Sequence, residues 1–101
     1  MAILAISVTP IGTGSSSVGQ YVAEAVRVVE RSGLPYRLHA MHTEIEGDLE
    51  QLLRLVPAIH AACFERGAQR LSTVMKIDDR RDAPSSMEGK VQSVERRMRR
   101  G

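Results

Sequence analysis

The chain has no tryptophan, one phenylalanine and two tyrosines. Its core must therefore be built from Leu, Ile, Val, Met and Ala. Tyr21, Tyr36 and Phe64 are scattered, so no aromatic platform exists on which nucleic-acid bases could stack. Cys63 is the single cysteine, which excludes an internal disulfide and leaves a structural zinc site without thiolate partners. No apolar run approaches the ~20 residues that span a bilayer. The N-terminus shows neither a basic n-region nor a small-residue cleavage site behind a long apolar stretch. These absences lead us to expect a soluble cytoplasmic protein without a membrane partner.

The formal charge of +2 is too small to argue for a partner of either sign. It is unevenly spread: residues 1–60 sum to −2 and residues 61–101 to +4, with the excess at Arg96, Arg97, Arg99 and Arg100. At 101 residues the chain is expected to form one domain over 1–101 with a modest core, which oligomerisation would support.

The apolar pattern reads as β-α-β-β-α-β-α. Ala2 to Thr9 alternates as a strand, with Leu4, Ile6 and Val8 on one face and Ile3, Ala5 and Ser7 on the other. Pro10 ends it, and Gly12 and Gly14 turn the chain. A helix over about 17–32 follows, N-capped by Ser15, Ser16 or Ser17 and closed by Gly33. Val18, Val22, Ala25 and Val29 form its inner stripe. Tyr36–Ala40 and Met41–Gly47 read as two short strands joined near Ala40. Asp48 can cap a second helix, whose stripe of Leu49, Leu52, Leu53, Val56, Ile59, His60 and Cys63 ends at Arg66-Gly67. Pro57 lies inside that stripe, which keeps its phase, so one kinked helix is predicted; a break near Val56 is the rival. Gln69–Asp78 reads as the last strand. A final helix from Ser85 or Ser86 carries Met87, Val91, Val94 and Met98.

Two βαβ halves of this length indicate an α+β, ferredoxin-like βαββαβ sandwich with a C-terminal helix. Two helices cover one face of such a sheet and leave the other bare. Because the first strand is uncharged on both faces, that bare face is expected to meet another copy, making a homo-oligomer.

The segments ISVTPIGTG (6–14), HTEIEGD (42–48), KIDDRRD (76–82) and MEGKVQSV (87–94) together resemble a small prokaryotic and fungal family described as thiamine-binding. The resemblance implies a ferredoxin-like fold, edge-to-edge dimers and a tetramer formed as a dimer of dimers. It implies a ligand such as thiamine or its hydroxymethylpyrimidine moiety. By motif matching, ligand contacts fall on Val8, through its backbone, and on Thr43. Around them the ligand-binding set becomes Ser7, Val8, Thr9, Met41, Thr43, Ile45 and Glu46. Thr43 and the strand end would read the pyrimidine edge, Met41 and Ile45 would line the ring, and Glu46 would offset a positive charge.

The remaining candidates point elsewhere. Gly12-Thr13-Gly14-Ser15 lacks the GK[ST] of a P-loop and reads as a turn. Glu44 reads as a solvated or salt-bridged strand residue, its expected partners being Arg80 or Arg81. His39 and His42 straddle a turn in poor ligand geometry; with His60 they read as structural, and no metal site is expected. Cys63 reads as core. Asp78, Asp79, Arg80, Arg81 and Asp82 suggest a salt-bridge network between subunits. Nothing completes an acid/base site, so neither a catalytic residue nor a cofactor is expected. The reading is a non-enzymatic binder for sequestration or delivery. The alternatives are a structural or regulatory homo-oligomeric module, or, more weakly, a nucleic-acid accessory protein using the basic tail.

Overall fold

The computed structural model describes residues 1–14 and 18–100. Its elements are β1 (Ala2–Pro10), α1 (Gly19–Ser32), β2 (Tyr36–Leu38), β3 (Thr43–Gly47), α2 (Leu49–Arg66), β4 (Leu71–Asp79) and α3 (Met87–Arg99). The chain is α+β, with one antiparallel sheet in the order β2-β3-β1-β4. Among the described residues no helix is long and apolar enough to cross a membrane.

Strand alternation decides which side chains meet. Leu4, Ile6 and Val8 turn to the face that α1 and α2 cover, where Leu4, Val29, Ile45, Leu52, Ile59 and Cys63 are wholly buried. Cys63 is core, as its stripe indicates. Its thiol lies 3.7 Å from the Tyr21 carbonyl, and burial, reinforced by Glu24, pushes its pKa up. His60 is structural as well: its Nε2 lies 2.6 Å from Thr73 Oγ1, tying α2 to β4.

The helix ends follow local chemistry. Gly33 closes α1 at φ 75, a conformation that costs a residue with a Cβ, and its N–H donates to the Glu30 carbonyl. α1 starts later than predicted, with Val18 at its N-cap, and the serines proposed for that role lie outside the described residues. Gln51 Oε1 accepts the Asp48 N–H at 3.0 Å, which fastens the start of α2. α2 runs unbroken through Pro57. Pro57 and Leu53 both sit on the exposed side, so water can reach the carbonyl that the proline leaves without a donor.

The second sheet face corrects an expectation. It is partly covered and largely polar, because α3 begins on it. The Met87 N–H donates to Glu46 Oε1, bringing the buried Met87 over the Ile3–Glu46 pair. Arg37 of β2 pairs with Glu88, and Asp78 of β4 with Lys90. Ile3 is thus covered within the chain; Arg37, Glu44, Lys76 and Asp78 make much of the rest of the face polar, and Ala5 and the exposed Val74 leave an apolar part toward the far end of β1. After this first turn α3 leaves the sheet, with Val91, Val94 and Met98 at 45%, 55% and 75% exposure. The radius of gyration, 15.3 Å, accordingly exceeds the ~13 Å of a compact chain of this length.

The charged run after β4 closes largely on itself. Arg80 pairs with Asp82 at 2.7 Å and Arg81 with Asp79 at 2.8 Å. These contacts hold the Asp79 and Asp82 carboxyls below the usual range.

Candidate functional site

The site is built where the β1–β3 ladder stops. β1 pairs with β3 only from Ala2 to Ile6, but with β4 along its whole length to Pro10. The Ile11 N–H bonds the Arg70 carbonyl on the β4 side. Alternation then turns the N–H and C=O of Val8 to the opposite side, toward the rung that β3 leaves open. Pro10 also faces that side, where its missing N–H orphans nothing. Periodicity alone makes Val8 one more inward valine; the sheet register leaves its backbone donor and acceptor without a strand partner on the β3 side.

β3 leaves the rung open because β2 and β3 form a tight hairpin. The His39 N–H donates to the His42 carbonyl at 2.9 Å, closing a loop of Ala40 and Met41. The hairpin tip, the end of β1 and α1 enclose a cleft of about 320 Å³, within the range of small-ligand pockets. Val22, Ala25 and Val29 of α1 and Ile59 of α2 give it apolar walls. Thr43 supplies a hydroxyl at its inner end and is the one buried polar side chain among the described residues, at 8% exposure.

Five of the seven proposed ligand residues converge here: Ser7, Val8, Thr9, Met41 and Thr43 all line the cleft. Two do not, and the period of two explains both. Ile45 pairs with Leu4 and Tyr36 on the helix-covered face and is wholly buried in the core. Glu46 points to the opposite face, where its carboxylate accepts the Met87 N–H. Neither side chain reaches a ring held in the cleft.

His39 and His42 border the cleft at the hairpin tip, while their side chains share the sheet face of Glu44, in keeping with a structural role. Residues flanking a two-residue hairpin loop form a cross-strand pair. The rings lie 5.5 Å apart, inclined at 47°. Glu44, also expected to be solvated or bound to Arg80 or Arg81, lies instead 2.7 Å from His39 Nε2 and 4.0 Å from His42 Nε2. Gly12 and Gly14, both at φ 77, are turn-makers as expected. Among the described residues no group of three or more His, Cys, Asp or Glu could hold a metal ion.

An open backbone rung and a hydroxyl on apolar walls can hold a flat heterocycle with adjacent donors and acceptors. Similarity to known proteins bears on the same point. Residues 4–95 match the model of a family described as thiamine-binding protein. The UPF0045 protein YqgV of Bacillus subtilis is 39% identical over 97% of this chain and 98% of its own. A hypothetical protein of Methanocaldococcus jannaschii superposes with a TM-score of 0.84 at 30% identity, covering 92% of this chain and 94% of the other. A candidate thiamine biosynthesis/salvage protein of Thermotoga maritima does so at 0.78 over 92% and 97%; at 20% identity it shows the fold alone.

Proposed function

The chain belongs to the thiamine-binding protein family, and from that premise we propose that it holds thiamine or a related aminopyrimidine such as hydroxymethylpyrimidine in the β1–α1 cleft. The observation that carries this reading is the convergence of Val8's free backbone rung and the buried Thr43 hydroxyl in one cavity of about 320 Å³. In this pose the rung and Thr43 meet the pyrimidine edge, and the valines of α1 stack along the ring. Met41, at the hairpin tip and 82% exposed, closes over the ring when the ligand enters. The product is sequestration or delivery in the cytoplasm, without turnover. Isothermal titration with thiamine and with hydroxymethylpyrimidine tests it. Saturable heat from either supports it; no heat and no thermal shift at millimolar ligand would refute it.

The ferredoxin-like assignment belongs to the same proposal and is supported by the order β2-β3-β1-β4 with α1 and α2 on one face. We also propose that the single domain works as a homo-oligomer, a tetramer formed as a dimer of dimers. Two features support it: the exposed stripe of Val91, Val94 and Met98, and Val74, 67% exposed on the second sheet face at edge strand β4. Multi-angle light scattering giving a monomer at micromolar concentration would refute it. The same stripe favours the second reading, an assembly module without a ligand, which the titration separates from the first.

A further inference from the structure

We propose that the cleft selects an uncharged ligand with an N=C–NH2 edge over a cationic one of the same shape. The inference rests on the binding reading above and names the charge class of its ligand. Two observations carry it. The first is the polar edge. Val8 offers one N–H and one C=O on the side where β3 no longer pairs. A strand partner would answer them with a C=O and an N–H. A ring nitrogen beside an exocyclic amino group supplies the same acceptor and donor without any charge. The Thr43 hydroxyl, at the inner end, is likewise neutral.

The second observation is where the charges stand. Among the described residues no Lys, Arg, Asp or Glu lines the cleft. The elements around it carry charges but turn them elsewhere. On α1, Glu24 pairs with Arg27 at 2.6 Å, Glu30 accepts the Tyr36 hydroxyl proton at 3.2 Å, and Arg31 is exposed. On the hairpin, Glu44 lies 2.7 Å from His39 Nε2 on the opposite sheet face, where Arg37 is engaged by Glu88. Among the described residues of α2, Ile59 alone reaches the cleft. The walls are therefore Val22, Ala25, Val29 and Ile59. A cation that enters gives up hydration and meets no counter-charge, a cost that a neutral ring does not bear. At about 320 Å³ the cleft is larger than one pyrimidine ring, so a second ring joined to the first meets the same apolar walls.

The test is titration calorimetry at pH 8 with thiamine and with deazathiamine, its neutral isostere, in which carbon replaces the thiazolium nitrogen. The two differ in charge and share the aminopyrimidine. Deazathiamine should bind about ten-fold more tightly, a factor well below the cost of burying a cation completely. Added salt should leave that ratio unchanged, because lost hydration is not a screened attraction. Glu44→Gln should leave it unchanged too, since that carboxylate stands on the opposite face. Thiamine binding as tightly as its isostere, or more tightly, would overturn the inference and leave the binding reading in place. A ratio that moves in Glu44→Gln would do the same, because a charge of the reverse face would then reach the ligand. Binding of hydroxymethylpyrimidine alone would put size rather than charge in control, and it too would overturn the inference. If the protein binds none of the three, the binding reading itself falls and this inference with it.

Discussion

Thr43→Val separates ligand recognition from folding most cleanly. Valine has almost the shape of threonine, and Thr43 sits in a β-strand between Ile6 and Leu38 at 8% exposure. The replacement keeps the packing and suits the strand. What it removes is one hydroxyl at the inner end of the cleft. A neutral hydrogen bond contributes about 0.5–1.5 kcal/mol net, so thiamine affinity should fall roughly two- to twelve-fold, at about 1.4 kcal/mol per decade. The melting temperature should hold or rise slightly. Thr43→Ser provides the opposite control, since it keeps the hydroxyl and loses a buried methyl. That variant should retain affinity but lose roughly 1 kcal/mol of stability, a drop of about 4–8 °C for a domain of this size. Titration calorimetry and thermal melts on the three proteins decide the matter. Unchanged thiamine affinity in a well-folded Thr43→Val protein would refute the assignment of the hydroxyl to the ligand.

Two further outcomes test the framework around the site. Arg37 holds the Glu88 carboxyl below its ordinary value of 4.5, so this pair supports α3 docking above that value. The support fades as pH falls through the lowered pKa; amide exchange near Met87 should accelerate on acidification, and Glu88→Gln should show faster exchange already at pH 7. Gly33→Ala meets no neighbouring atom but must hold φ 75, so strain alone should cost about 1–2 kcal/mol, read as a shifted denaturation midpoint with unchanged slope.

Much of the fold was legible because it follows from periodicity and punctuation. The inner stripes of β1, α1 and α2, the Gly33 stop and a start of α3 at Ser85 or Ser86, of which Ser86 Oγ accepts the Gly89 N–H, are local effects of side-chain type and spacing. The continuity of α2 through Pro57 was legible too, since the apolar phase survives the proline. The placement of α3 was not: its amphipathic stripe is plain, but what it rests on depends on Arg37, Glu46 and Asp78, which lie far away in sequence. The same limit produced the misassigned Glu46, whose carboxylate belongs to the reverse face and to the Met87 N–H.

By itself the sequence determined which residues alternate, where helices stop, that the core is aliphatic and that Thr43 and the end of β1 are polar points on apolar elements. These are properties of a residue and its near neighbours. Only the tertiary structure decided that the β1–β3 ladder ends at Ile6, leaving Val8's backbone open beside Thr43, and that the hairpin brings His39 and His42 to Glu44. The physical reason is that an open backbone rung is a property of register between strands. Register is set by how two distant segments pair, and no single segment carries it.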